Sequence, residues 1–160
     1  MEPGGSGTSL SQNPQFHLKV KFSIEIPLYL IHAGTAREVV ALGLHGDRPA
    51  LDFFLELKRT NPKGHQILSG QIEFLCNAPR LYPRETFKLL DPERKIYEFR
   101  TRFGLRLYCF LDGDALVILT NGGKKNTAKE QSRDISRAVC LHDTFHQLKS
   151  EGAKPVIILP

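Results

Sequence analysis

Residues 96–120 read IYEFRTRFGLRLYCFLDGDALVILT. The segment holds three largely apolar runs, at about residues 96–101, 105–111 and 115–120, and the turns between them contain Gly104 and Gly113. Short runs of β-branched and aromatic residues between glycine-containing turns are typical of consecutive strands. We therefore expect a three-stranded antiparallel meander. Its last strand is apolar throughout, which predicts a central position covered on both faces.

The register of the first hairpin follows from its face pattern. A three-residue loop at residues 102–104, with glycine at its left-handed position, places Arg100 opposite Arg106 and Glu98 opposite Tyr108. These four side chains then share one face, and the other face is apolar. Two arginines that face each other across a strand pair repel. We therefore expect an anion to lie between them.

Two strands are predicted upstream of the meander. Apolar and polar residues alternate over residues 18–26, which indicates a half-buried strand. Pro27 should end this strand or place it at a sheet edge. The apolar run at residues 38–44 is a second candidate, whereas residues 77–95 contain Pro79, Pro83 and Pro92 and resemble a loop.

Three helices are predicted. Asp47 is a candidate cap for the first, with Pro49 in its opening turn, and the pair Asn61-Pro62 begins the second. Few residues separate these two helices, which favours a helical hairpin. Thr127 and Glu130 form a capping-box pattern at the start of the third, which should fade near Gly152.

These elements predict an α+β fold of one small domain. We expect a helical hairpin packed on a mainly antiparallel sheet of four to five strands, with a C-terminal helix. Residues 1–16 are rich in Gly, Ser, Pro and Gln and should form a flexible tail. Residues 17–36 are then a strand extension, residues 37–152 the main domain, and residues 153–160 a tail that packs or adds a short strand.

Several classes of protein are disfavoured by composition. The N-terminal residues lack the basic and apolar regions of a secretory signal, and no apolar run is long enough to span a membrane. Cys76, Cys109 and Cys140 are widely spaced and odd in number, which favours core positions in a reducing compartment. We therefore expect a cytoplasmic protein without a membrane partner.

The positive charge is concentrated in one segment. The chain carries a formal charge of +5, and residues 94–137 hold ten basic residues against five acidic ones, so the whole excess lies there. Concentrated positive charge attracts polyanions. Besides the strand arginines and the lysine pair, five residues of this segment are candidates for binding nucleic acid: Arg94, Arg102, Lys129, Arg133 and Arg137.

Phosphate chemistry is predicted at two places. Residues 121–126, Asn-Gly-Gly-Lys-Lys-Asn, combine two glycines and two lysines before a helix start, a plausible phosphate site whose alternative is an ordinary solvated turn. Arg100, Arg106 and Tyr108 also suit phosphate oxygens, unless they belong to a solvated sheet face. His142 and His146 have a metal-ligand spacing but no convincing third ligand, so we expect no metal and no small-molecule cofactor.

Residues 38–148 as a set resemble toxins of the RelE/ParE superfamily, most closely the HigB-like, phage-derived branch. Three motifs that carry the resemblance lie in or before the first hairpin: Lys-Leu-Leu at 88–90, the Tyr-Glu-Phe-Arg strand at 97–100, and Arg106 with Tyr108. Three more follow: the apolar strand, the pair Lys124-Lys125, and Ile135 with Ala138 on the last helix.

The resemblance implies a type II toxin that cleaves mRNA on the translating ribosome and is neutralised by a cognate antitoxin. A ribose 2′-OH would attack the adjacent phosphate without a metal. Arg100 and Arg106 would stabilise the pentacoordinate phosphate, Lys124 or Lys125 would serve in acid–base or electrostatic roles, and Tyr108 would orient the phosphate. These five residues are the candidate catalytic set.

Two alternatives stay open at the level of sequence. One is a toxin of the same superfamily that acts on gyrase. The other is a catalytically inactive module that binds nucleic acid or protein through its basic face. Arg100 and Arg106 on one surface beside Lys124 would favour the nuclease, whereas arginines held in salt bridges with Glu98 and Asp134 would favour the inactive module.

Overall fold

The computed structural model of the chain describes residues 24–159. The predicted tail at 1–16 and most of the predicted strand at 18–26 lie outside this range. The elements are, in chain order, β1 (Glu25–Ala33), β2 (Glu38–Leu42), α1 (Pro49–Thr60), α2 (Pro62–Asn77), β3 (Phe87–Asp91), β4 (Ile96–Arg100), β5 (Leu105–Leu111), β6 (Leu116–Lys124), α3 (Ala128–Ser150) and β7 (Lys154–Ile158).

All seven strands join one mixed sheet in the order β3-β4-β5-β6-β2-β1-β7. The pairs β2–β6 and β1–β7 are parallel, and the other neighbours are antiparallel. The prediction of a mainly antiparallel sheet of four to five strands with one helical hairpin was therefore wrong, although the fold is α+β. The two parallel pairs join segments that are far apart along the chain, and no local pattern identifies such partners.

Helices cover both faces of the sheet. On one face, α1 and α2 pack over a core that includes Phe54, Ile72, Phe99 and Leu107. On the other face, α3 packs through residues such as Phe145 over Tyr108 and Phe110. These two faces are called the α1/α2 face and the α3 face below.

The meander follows the prediction closely. Strand β6 is the middle strand of the seven, and residues 117–121 are buried. In the β4–β5 hairpin, Arg100 lies opposite Arg106 and Glu98 opposite Tyr108. Gly104 has a φ of 88° in the three-residue loop, a left-handed conformation that glycine adopts without a Cβ clash. The predicted register is therefore confirmed.

Two predictions about strands were wrong. Pro27 does not end a strand, because β1 continues through it to Ala33 and lies between β2 and β7. The segment 77–95 is not all loop, since residues 87–91 form β3, which pairs with β4 at one edge of the sheet. Three nearby prolines led to the prediction of a loop, although none of them lies within the strand.

The helix starts were predicted with mixed success. The Asn61 side chain accepts a hydrogen bond from the Gly64 N–H at 3.0 Å, and Thr127 accepts one from Glu130 at 3.1 Å, so both caps are confirmed. Helix α1 instead has Arg48 at its cap position with no side-chain cap bond, so the assignment of Asp47 was wrong. Within residues 24–159, none of the helices combines the length and apolar character needed to cross a bilayer.

Candidate nucleic-acid interface

Three of the predicted catalytic residues lie together on the α3 face. The register places Arg100, Arg106 and Tyr108 on the same side of the β4–β5 hairpin as Glu98. Tyr108 and Glu98 are fully buried, and Arg106 is 8% exposed. Glu98, Arg106 and Tyr108 therefore form an interior cluster, whereas the Arg100 side chain at its edge is 30% exposed.

Glu98 is the centre of this cluster. Its Oε1 lies 3.3 Å from Arg106 Nε, and its Oε2 lies 3.9 Å from Arg100 Nη1. Gln131 of α3 donates a hydrogen bond from Nε2 to Glu98 Oε1 at 3.2 Å. The anion expected between the two arginines is thus the Glu98 carboxylate of the chain itself.

The cluster is electrostatically paired but poorly hydrogen-bonded. Three buried atoms of this cluster find no hydrogen-bond partner in the described part of the chain: Glu98 Oε2, Arg106 Nε and the Tyr108 hydroxyl. Arg106 lies within ion-pair distance of Glu98 without hydrogen-bond geometry, while its Nη1 donates to the Thr101 carbonyl at 3.3 Å. Buried polar groups are normally satisfied, so these three are unusual.

The environment of Tyr108 keeps its hydroxyl protonated. Burial raises the pKa of Tyr108 above its ordinary value, and the nearby Glu98 and Asp134 add to the rise. A neutral, buried phenol does not act as a base near neutral pH. It also lies too deep to orient an RNA phosphate in this conformation.

Helix α3 covers the cluster. Asn121 Nδ2 donates to the main-chain carbonyl of Asp134 at 3.1 Å, and Gln131 reaches Glu98 from the same part of the helix. Burial raises the pKa of the Asp134 carboxyl. Asp134 forms no salt bridge with an arginine among the described residues, so only the Glu98 half of the predicted salt-bridge pattern is present.

The predicted phosphate loop at 121–126 is mostly strand. Residues 121–124 belong to β6 and pair with residues 105–108 of β5. A Cβ on Gly122 would collide with the Phe53 ring, and one on Gly123 would collide with the Asp134 carboxylate. The two glycines therefore allow close packing on both faces of the sheet and do not form a phosphate-binding loop.

The two lysines do not join the arginines. Lys124 pairs with Leu105, whose side chain lies in the core of the α1/α2 face, so Lys124 belongs to the face opposite Arg106. Lys125 follows the strand, and its N–H donates to the Gly104 carbonyl at 2.7 Å. Both lysines are exposed. The five candidate catalytic residues are thus divided between a buried cluster and the surface.

A set of six exposed cations includes these two lysines. It is called the basic surface below and comprises Arg102, Lys124, Lys125, Lys129, Arg133 and Arg137, all of them exposed. The Lys125–Gly104 hydrogen bond brings the lysine pair beside the loop that carries Arg102. Lys129, Arg133 and Arg137 recur every four residues along α3 and form one helix stripe.

This basic surface has little compensation by acidic groups. None of its six residues forms a salt bridge with another residue in the range 24–159. Lys125 and Lys129 also flank the N-terminus of α3, where the helix dipole is positive and acidic residues are favoured. Glu130 is the one acidic residue of that first turn. Asp134 of α3 interacts electrostatically with Arg133 and Arg137, so the positive charge of the surface is only partly balanced.

Arg94 is separate from the basic surface. It lies before β4, at the opposite end of that strand from Arg100, and bonds to Asp91 at 3.0 Å and Asp143 at 2.9 Å. Hydrogen bonds from Arg94 are the largest factor that lowers the pKa of both carboxyls. Arg94, which was predicted to bind nucleic acid, therefore belongs to an ion-pair network that connects the β3–β4 turn to α3.

The histidine pair packs against an aromatic residue. The rings of His142 and His146 lie 4.5 Å apart between centroids, and both adjoin Phe110. Burial lowers the pKa of His146 below its usual value. Among the described residues, no group of three or more His, Cys, Asp or Glu side chains is arranged to hold a metal.

The cysteines are only partly where they were expected. Cys76 and Cys109 are buried free thiols, as predicted for core residues. Cys140 is an exposed free thiol on α3, so its assignment to the core was wrong. Its position on the outward side of the helix, two residues after the buried Ala138, explains the exposure.

Sequence reasoning missed the residues that close the buried cluster. Glu98 was visible in the predicted register, on the same face as both arginines, and its role as their counter-ion follows from that register. Gln131, Asp134 and Asn121 act through contacts between α3 and the sheet, and no local pattern signals them.

No family model matches the chain, and no curated protein matches it.

Proposed function

We propose that the chain binds RNA through the basic surface and acts in the cytoplasm as a translation-inhibiting toxin of the RelE/ParE kind. The observation that carries the proposal is the set of six exposed cations that form no salt bridge among the described residues. Phosphate groups neutralise such cations and release counter-ions, which is the main source of affinity for a polyanion.

The geometry of the basic surface favours a backbone ligand. The stripe of Lys129, Arg133 and Arg137 rises by about 6 Å per step, since each residue of a helix adds about 1.5 Å. This spacing is close to the distance between successive phosphates of a nucleic-acid strand. Contacts of this kind fix the position of the bound RNA and carry no information about its base sequence. Any sequence preference would then come from the partners of the chain, the ribosome and its mRNA.

Cleavage of the bound RNA is the second candidate function. The observation that favours it is the group of three buried atoms without hydrogen-bond partners, because a purely structural core rarely retains them. Arg106 would stabilise the charge on the phosphate only if α3 moved away from the cluster. The Glu98 ion pairs and the burial of Tyr108 make binding without cleavage the better-supported function. No observation favours gyrase as the target.

Inducible expression of the full chain tests the proposal. We expect the wild type to arrest growth and the double variant Lys124→Glu/Lys125→Glu to grow normally, because charge reversal repels phosphate. The control Lys58→Glu/Lys63→Glu makes the same change of charge at exposed sites of α1 and α2 and should still arrest growth. A wild type that leaves growth and translation unchanged would overturn the proposal.

Mapping mRNA 3′ ends in the same cells separates binding from cleavage. Arrest with intact mRNA is the expected result and identifies inhibition by binding. New 3′ ends that appear with the wild type and vanish with Arg106→Lys would replace it with the nuclease function. Thermal unfolding of the purified Arg106→Lys protein shows whether a lost activity reflects the site or the fold.

A further inference from the structure

A groove on the α1/α2 face is not used by the proposed function. It runs beside the C-terminal half of α2 and is bordered by the segment 78–86. One end of the groove is an open cavity of about 300 Å³. The groove continues from this cavity past Phe74 and Arg84 to Ala78 and Tyr82. The cavity is lined mainly by apolar groups, from Ile67, Phe74, Leu75, Phe87 and Phe99. This feature is called the α2 groove.

Two aromatic rings stand exposed along the α2 groove. Phe74 is 57% exposed and Tyr82 is 56% exposed, although large apolar side chains of this kind usually lie in the core. Exposed apolar area beside a cavity marks interaction sites more often than it marks ordinary surface. The rings therefore indicate that another molecule covers the groove.

An arginine accompanies each ring. The Arg84 guanidinium lies 4.3 Å from the centroid of the Phe74 ring, and Arg80 donates from Nη1 to the Tyr82 hydroxyl at 3.3 Å. Neither arginine forms a salt bridge within the described range. Aromatic residues and arginine are the types most enriched at energetically important positions of protein interfaces.

We propose that the α2 groove binds a peptide segment of a partner protein. The segment places a large apolar side chain in the cavity and presents a carboxylate to Arg84 and Arg80. A nucleic-acid strand fits less well, because Glu73 and Glu85 balance the two arginines in residues 73–86 and leave no net charge to attract phosphate. The groove and the helix stripe of the basic surface lie on opposite faces of the sheet.

Selection from a phage-displayed library of random 12-residue peptides, with the full chain as bait, tests the proposal. We expect enriched peptides to share an aromatic or large aliphatic residue with Asp or Glu close by. Synthetic copies should bind at least about 10-fold more weakly to Phe74→Ser, since loss of an interface anchor has effects of this size. Arg84→Glu should weaken acidic peptides and select basic ones instead.

Leu55→Ser is the matched control, because Leu55 is an exposed apolar residue of α1 outside the α2 groove. It should leave peptide binding unchanged. Failure to enrich any peptide, or equal effects of Phe74→Ser and Leu55→Ser, would overturn the proposal. Loss of single-stranded RNA binding in Phe74→Ser would show instead that the groove binds nucleic acid. Loss of RNA binding only in Lys124→Glu/Lys125→Glu leaves the two proposals separate.

Discussion

Glu98 determines what the arginines of the hairpin can do. Its carboxylate lies within ion-pair distance of both Arg100 and Arg106, so the repulsion expected between them is relieved inside the protein. The sequence predicted the pairing of the arginines and the face that Glu98 shares with them. It did not reveal the burial of that face, because burial depends on where α3 packs.

Tyr108 offers a test of whether the buried cluster is a structural core or a working site. Its hydroxyl is buried without a hydrogen-bond partner among the described residues, so Tyr108→Phe should leave the free energy of unfolding unchanged or raise it by about 1 kcal/mol. Urea unfolding measures this difference.

Thr120→Val is the control for the Tyr108 experiment. The Thr120 hydroxyl has two partners, at 2.8 Å from Asn121 Oδ1 and 3.2 Å from the Tyr108 carbonyl oxygen. Its removal should lower the free energy of unfolding by about 1 to 2 kcal/mol. A comparable loss in Tyr108→Phe would mean that the phenol does have a stabilising partner.

At the scale of elements, β6 shows how one motif was assigned to the wrong structure. Glycines and lysines before a helix start are typical of phosphate loops, and local sequence alone gives no means of excluding one. The glycines of β6 instead face Phe53 and Asp134, which come from α1 and α3. By contrast, the cap of α3 was predictable, since Thr127 and Glu130 interact within one turn.

Gly122→Ala tests the packing role of β6. The added methyl group would collide with the Phe53 ring, so we expect a loss of about 2 to 3 kcal/mol in the free energy of unfolding. Gly70→Ala is the matched control, because nothing lies near its Cβ position in the interior of α2. That substitution should stabilise the protein by up to about 1 kcal/mol. Equal effects of the two changes, by thermal or urea unfolding, would contradict the packing role.

At the scale of the whole molecule, the mixed sheet separates the α2 groove from the α3 stripe of the basic surface, whereas Lys124 belongs to the α1/α2 face. Parallel pairing of β2 with β6 places α1 and α2 on one face and α3 on the other. The sequence predicted every helix of residues 24–159, and most of the meander, from local patterns. It did not predict β3, the parallel pairs or the division of the helices between faces, because these depend on contacts between distant segments.

The basic surface also emerges only at this scale. Its six residues were all predicted to carry function, but as parts of different sites. The hydrogen bond from Lys125 to Gly104 places the β4–β5 loop, which carries Arg102, beside Lys125. Helix α3 then adds Lys129, Arg133 and Arg137. Arg94 and Arg106 do not belong to the basic surface, because each forms salt bridges with acidic residues.

The salt dependence of RNA affinity tests this surface most directly. Binding of a labelled single-stranded RNA to the full chain, measured by fluorescence anisotropy over a range of salt, gives a slope of log K against log[salt] of about −0.7 for each phosphate contacted. We predict that Lys124→Gln/Lys125→Gln reduces the size of this slope by about 1.4, and that Lys58→Gln/Lys63→Gln leaves it unchanged. A slope that is the same in all three proteins, or an affinity that does not depend on salt, would contradict RNA binding through the basic surface.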